Sequence, residues 1–171
     1  MNGEASIRRL GRPGDLGWVV MAHGEVYAEE FGWNADFEAL VARIVADYAA
    51  DHDPDREAAW IAELGGRRVG CVFVVAKDAD TAQLRVLLVD PAARGHHLGR
   101  RLVAECIGFA RQAGYRWMML WTTDPLAAAR HIYLEAGFCL VSEERQHSFG
   151  VDLTGQHYEL DLAAELSAAR R

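Results

Sequence analysis

"VLLVDPAARGHHLGRRLV", Val86 to Val103, is an apolar run, a proline, two glycines and then a segment with apolar residues at helical spacing. The run reads as a strand that Pro91 ends, and "LGRRLV" as the opening of a helix. A strand that passes through a loop straight into a helix leaves backbone N–H groups unpaired at the helix N-terminus, where anions bind. Gly95 admits an unusual backbone torsion, and Gly99 is expected to let a phosphate group approach the first helical turn. The geometry suits a pyrophosphate. It is not a Walker loop, because no Gly-Lys-Ser/Thr follows. Nor is it a dinucleotide fingerprint, because the second glycine is missing and the surrounding strands read as antiparallel.

Upstream, "AAWIAEL", "RVGCVFVVAK" and "AQLRVLLVD" are β-rich runs divided by "GGR" and "DADT", which predicts two hairpin connections and an antiparallel meander. Before them "SIRRL" is a short strand. Pro13 and Asp15 then mark a helix start, and "LGWVVMAHGEVYAEEF" continues a helix that Gly17 and Gly24 weaken. Asn34 caps "ADFEALVARIVADY", where Phe37, Leu40, Val41, Ile44, Val45 and Tyr48 form one apolar stripe. Downstream, "LGRRLVAECIGFARQAG" turns Leu98, Leu102, Cys106, Phe109 and Ala110 to one side, with Val103 and Ile107 beside them and Gly114 at the C-terminal cap. "YRWMMLWT" is a strand, and "DPLAAARHIYLEAG" a helix capped by Asp124 with Pro125 in its first turn. "FCLVSEE" is another strand, and "QHYELDL" a closing strand with one wet face. The predicted order is β-α-α-β-β-β-α-β-α-β-β.

A chain of 171 residues without a long composition shift is expected to form one domain. Its apolar fraction of 51% and charged fraction of 25% are those of a globular protein, and no apolar run approaches the ~20 residues of a membrane helix. The N-terminal segment lacks the pattern of a secretory signal, so a cytoplasmic location is expected, with no membrane partner. Cys71, Cys106 and Cys139 are widely spaced in apolar segments and read as buried free thiols. A net charge of −7 disfavours nucleic acid as a partner, while Arg94, Arg100 and Arg101 form a local basic cluster around the loop that fits a small anion.

The loop resembles motif A of the GNAT acetyltransferases, Arg/Gln-x-x-Gly-x-Gly/Ala. Here it reads Arg94-Gly95-His96-His97-Leu98-Gly99, with His97 where the family usually has glycine. "VLLVDP" resembles the strand whose backbone pairs with the pantetheine arm, and "AAARHIYLEAGF" resembles motif B. From Ile7 to Leu162 the chain is also similar to the acetyltransferase half of bacterial MarR–GNAT fusion proteins. "GDLGWVVMAHGEVYAEEFGWN", "LWTTDPLAAARHIYLEAGF" and "HSFGVDLTGQHYELDL" carry that likeness. The DNA binding of the fusions is not carried over, and the likeness supplies no acceptor.

The resemblance implies an α/β (α+β) GNAT fold: a mixed, mostly antiparallel central sheet of about seven strands flanked by about four helices. It implies a single acetyltransferase domain over residues 1–171, with its core at 7–162 and a frayed tail at 163–171. Acetyl-coenzyme A would be the co-substrate, with no metal. Leu87, Leu88 and Val89 on the strand would hold it, with Arg94, Gly95, His96, His97, Leu98, Gly99 and Arg100 in the loop. His97 would still donate its N–H if its torsions are helical or bridge-like, with weakened cofactor binding expected. Tyr133, four residues before Gly137-Phe138, takes the place of the tyrosine that protonates the departing thiolate, a task open to a phenol of intrinsic pKa ~10. Leu126 stands where the family often has asparagine.

"HGEVYAEEFGW" offers His23, Glu25, Tyr27, Glu29, Glu30 and Trp33, an acidic and aromatic mixture that could receive a cationic amine, with Tyr27 and Trp33 as cleft residues. Glu29, Glu30 and His147 are the candidate general bases. The expected activity is an N-acetyltransferase in which a small-molecule or peptide amine attacks the thioester directly. A backbone N–H near Leu88 would stabilise the oxyanion, and Tyr133 would act as general acid. Two other readings stand beside it. One is a non-catalytic acyl-CoA-binding or sensing domain. The other is a metalloprotein using His96 and His97, opposed by their adjacency and the lack of an i, i+4 partner. The final hairpin would offer a homodimer surface.

Overall fold

A computed structural model of the chain describes residues 3–164, so most of the tail expected to fray, residues 165–171, lies outside the described residues. Strands β1 (Ala5–Arg9), β2 (Ala58–Leu64), β3 (Arg67–Ala76) and β4 (Thr81–Val89) pair antiparallel in chain order. Gly65 and Gly66 join β2 to β3 with φ of 58° and 79°, the two positive torsions that a two-residue hairpin of matching twist demands. Helix α3 (Leu98–Gln112) follows β4 and carries the chain back across the sheet, so β5 (Trp117–Thr123) joins parallel to β4. After α4 (Ala127–Glu135), β6 (Cys139–Ser148) and β7 (Val151–Asp161) form a hairpin whose second strand enters beside β5. The result is a seven-stranded sheet in the order β1-β2-β3-β4-β5-β7-β6.

Both faces of the sheet centre are covered, which is why β2 and β3 read as nearly continuous apolar runs. Along β2, Trp60, Ala62 and Leu64 meet Leu102, Val103 and Cys106 of α3, while Ala59 and Ile61 meet the opposite layer. That layer is α1 (Asp15–Phe31) and α2 (Ala35–Asp51), packed through Val19, Ala22, Val41, Val45 and Tyr48. The expected stripe of α2 is buried at Val41, Ile44, Val45 and Tyr48, but Phe37 and Leu40 are only partly covered and border a cavity instead. Gly24 has a packing role: a Cβ there would collide with the Glu38 carboxylate of α2, so the two helices approach through it. Cys71 and Cys106 are buried thiols. Cys139 is not, because it opens β6, whose residues at the sheet edge are mostly exposed.

Two helix starts show how side chains replace missing helical partners. Asn34 accepts from Asp36 N at 3.0 Å as the cap of α2, as expected. Asp124 does not cap α4: Leu126 holds that position without a side-chain bond, and Asp124 Oδ1 accepts from Thr154 N at 2.7 Å, tying the turn to β7. In the first turn of α1, fully buried Asp15 accepts from Arg8 and Arg68 and from the N–H groups of Gly11 and Arg12, at 2.7–3.0 Å. Burial alone would push this carboxyl up, but the bonds from Arg8, Gly11, Arg68 and Arg12 hold it well below the usual carboxylate range.

The functional geography follows from β4. Between its pairs Arg85↔Phe73 and Leu88↔Cys71 it carries one more residue than β3, a bulge at Val86, whose φ is 49°. The extra residue reverses which side chains face α3: Ala82 and Leu84 do before it, Leu87 and Val89 after it. β4 pairs with β5 only at Thr81, Ala82 and Gln83. Beyond Gln83 the two strands part, because β5 continues along β7 to Thr123↔Gly155 while the bulge turns β4 away.

Candidate functional site

Two adjoining cavities occupy the gap between the parted strands. The larger, about 440 Å³, lies between the end of β4, the α3 N-terminus and α4. Asp90 accepts from Ala92 N at 2.8 Å and shapes a short 3-10 turn over Pro91–Ala93. Gly95 follows with φ 90°, and His97 with φ 56° and ψ 22°. Among the described residues no backbone N–H from Gly95 to Arg100 has an acceptor in the protein. These six consecutive donors, at the positive end of the α3 dipole, can hold an anion.

The expected loop residues are brought together with one exception. Leu87, Leu88, Val89, Arg94, Gly95, His97, Leu98, Gly99 and Arg100 all line this cavity, whereas His96 does not. His97 departs from the expected helical or bridge-like torsions and is left-handed, a region in which histidine is enriched several-fold over most side chains. It therefore takes the backbone shape a glycine would supply. Gly99 also has a packing role: a Cβ there would lie 2.7 Å from Ile132 Cδ1, so the missing side chain lets α4 close on α3. Arg100 pairs with Glu135 at 2.7 Å. Arg94 is paired with Glu30.

Along β4, Asp90 donates to Val69 of β3, so by strand alternation Leu88 also faces β3 while Leu87 and Val89 turn their backbone groups to the gap. Leu87 O accordingly accepts from the Tyr27 hydroxyl at 3.4 Å. Polar backbone along one edge, with Leu98, Ile132 and the alanines of α4 opposite, suits a long flexible chain with amide groups. Orphaned donors at one end and this half-polar channel at the other fit a phosphorylated pantetheine carrier such as acetyl-coenzyme A.

The smaller cavity, about 110 Å³, opens on the other side of Tyr27; Tyr27, Leu87, Leu126 and Ala129 border both. Tyr133 lines it, buried and stacked edge-on against Phe138 at 5.8 Å. Burial, and then the neighbouring Tyr27 and Cys106, push its phenol well above the ordinary value, so it stays protonated. Trp33 lines the same cavity within an aromatic cluster, 5.1 Å from Tyr27, 4.7 Å from Phe37 and 4.9 Å from Phe149 between ring centroids. Leu126, at the position where asparagine was the commoner choice, gives an apolar wall.

The candidate bases are not brought together. Glu29 is exposed and borders neither cavity. His147 sits at the exposed β6–β7 tip, bonded to Asp152 at 2.7 Å and away from both cavities. Glu30 alone borders the larger cavity. His23 of the expected mixture lines the smaller cavity, while four further polar residues there, Gln83, Arg85, Thr122 and Thr123, were not expected at the site. The available signal was Gln83 and Arg85, polar residues two apart in an otherwise apolar central strand. His23 Nδ1 donates to Val19 O at 2.7 Å, leaving Nε2 buried without a partner, and burial pushes the ring down to about 4. Contrary to the expected acidic cleft, no Asp or Glu among the described residues lines this cavity. Among the described residues no three His, Cys, Asp or Glu side chains are grouped to hold a metal ion, and no helix is long and apolar enough to cross a membrane.

Comparison with known proteins matches residues 20–138 to the family model described as the acetyltransferase (GNAT) family. An uncharacterized N-acetyltransferase of Schizosaccharomyces pombe is 31% identical over 135 residues, 78% of this chain and 82% of that protein. An N-acetylaspartate synthetase of Danio rerio is 33% identical over 90 residues, 52% of this chain but only 32% of that longer relative. Among solved structures, an acetyltransferase from Salmonella typhimurium with its cofactor acetyl-CoA superposes with a TM-score of 0.73. It is 19% identical, over 93% of this chain and 94% of that one, a likeness of fold.

Proposed function

Because the chain belongs to the acetyltransferase (GNAT) family, we propose that it transfers an acetyl group from acetyl-coenzyme A to an amine, with residues 7–162 as the core of one acetyltransferase domain. The observation that carries this reading is the row of acceptorless N–H groups from Gly95 to Arg100, opening on a channel that adjoins the smaller cavity lined by Tyr133. Those donors, with the Arg94 and Arg100 side chains, bind the pyrophosphate. Leu87 and Val89 pair through their backbone with the pantetheine arm, flanking Leu88 as the strand is held against β3. Bound acetyl-coenzyme A supplies an activated thioester. The N–H groups at the bulge receive the oxyanion as the carbon–nitrogen bond forms, and Tyr133 gives its proton to the thiolate as the carbon–sulfur bond breaks. Of the proposed bases Glu30, one helical turn from Tyr27, takes the proton the amine loses, through water. Tyr27 and Trp33 shape the acceptor side.

The alternative, an acyl-CoA-binding domain without catalysis, drew on His97 and Leu126. The left-handed torsion of His97 removes part of that motive, since it keeps the loop amides free. The likeness to the acetyltransferase half of MarR–GNAT fusions adds no acceptor. Association of two copies through the β6–β7 hairpin belongs to this reading, with Leu140 and Val141 exposed on the edge strand. Calorimetric titration with acetyl-CoA and with CoA tests the reading: saturable binding of both is expected, and absence of both would overturn it.

A further inference from the structure

The smaller cavity carries a charge that the proposed reaction does not use. Its wall is largely aromatic and aliphatic, and on β4 it carries Gln83 and Arg85, which, two residues apart on a regular stretch of strand, face the same way. Both are half-buried, and among the described residues neither side chain has a hydrogen bond or ion pair. The carboxylate that acts on Arg85 is that of Asp47 on α2, beyond ion-pair distance, and burial pushes the guanidinium down from its ordinary value. Among the described residues no carboxylate borders the cavity to answer it. A guanidinium partly stripped of water and left unpaired is an unfavourable arrangement, which an entering anion relieves. The planar fork of arginine matches a carboxylate in two parallel bonds, and the Gln83 amide can donate a third.

Three more polar atoms in the same wall lack partners: His23 Nε2, Thr122 Oγ1 and Thr123 Oγ1, on residues at least nine-tenths buried. They are polar groups at the cavity that a polar occupant could satisfy. Its place on the strand sets that occupant's length. Arg85 precedes Leu87 by two residues across the bulge at Val86, a span of at most roughly 7 Å, and Leu87 is where the backbone turns to the gap. A molecule whose carboxylate lies on Arg85 and whose nitrogen reaches the bulge has the two groups separated by a few bonds.

We infer that the acceptor is a free amino acid, held by its carboxylate on Arg85 with Gln83 beside it, and not a simple alkylamine or the N-terminus of a protein. The inference rests on the acetyltransferase reading above. It is tested with the full chain by release of CoA thiol from acetyl-CoA, using the common L-amino acids, each beside its carboxamide and its decarboxylated amine. At least one free acid is expected to turn over, with its amide and amine at least tenfold poorer in kcat/KM. Arg85→Gln should lower that acid-to-amide ratio by about 10- to 100-fold, chiefly through KM, and Arg85→Lys should restore part of it. Thermal melting of the variants checks that they fold. Amides or amines that equal the acids, an Arg85→Gln ratio unchanged from the parent, or binding of acetyl-CoA with no amino acid turned over would each overturn the inference and leave the acetyltransferase reading standing. Failure of acetyl-CoA to bind would instead remove the reading beneath it.

Discussion

Tyr133 and His97 are the residues at which local chemistry decides most. In the proposed mechanism the buried phenol, pushed upward, stays loaded with its proton and gives it up only to a thiolate whose own basicity the same apolar surroundings raise. Tyr133→Phe keeps the ring in its wall and removes the donor. It is expected to lower kcat by about 100-fold or more with acetyl-CoA affinity retained, measured by steady-state thiol release and calorimetry. His97 costs the loop the strain of a left-handed side chain. His97→Gly is expected to raise stability by up to about 1 kcal/mol in urea melts and to hold or tighten acetyl-CoA binding. A strong loss of affinity would assign the imidazole a contact of its own. The motif was readable in the sequence as a glycine-bearing loop before a helix, but the sign of φ at His97 was not, because histidine is compatible with more than one backbone region.

Among the elements, β4 is the one whose shape makes the site, and its neighbours hold that shape. The bulge at Val86 lies where Cys71 Sγ meets Val86 O at 3.3 Å, and Gly70 of β3 lies close by. A Cβ at Gly70 would sit 2.9 Å from Leu88 O, 3.2 Å from Ala62 Cβ and 3.3 Å from Leu102 Cδ1, so backbone as well as side chains would have to move. Gly70→Ala is expected to cost about 1–3 kcal/mol in denaturant melts and to weaken acetyl-CoA binding by displacing β4. The alternation of β-rich runs with turn residues made β2, β3 and β4 visible in the sequence. The bulge was hidden, because "RVLLVD" reads equally well as a regular strand, and the extra residue exists only in register against β3. For the same reason the missing pairing of β4 with β5 beyond Gln83 could not be read from either strand alone.

At the scale of the whole molecule, buried ionisable groups link the fold to pH. His23, enclosed by Val19, Tyr27 and Phe37, has its ring pushed down to about 4. The unfolded chain therefore binds a proton that the folded chain refuses between about pH 6.5 and 4, so stability is full above that window and falls as pH drops through it, by about 3 kcal/mol. Asp15 has the same sign but acts only below the ordinary carboxylate range, where its bonds to Arg8 and Arg68 are lost. Urea melts at pH 7 and 4.5 should show the loss, and His23→Gln should shrink it. By itself the sequence determined the order of strands and helices, the glycine-bearing loop before α3 and the place of Tyr133 on α4, because periodicity, turn residues and a short contiguous motif are local properties. Only the tertiary structure decided that β4 and β5 part, that Glu29 and His147 stand clear of both cavities, and that Arg85 faces the smaller one without a hydrogen-bond or ion-pair partner among the described residues. Those facts depend on register, burial and the approach of residues far apart in the chain, and no local pattern encodes the distance between them.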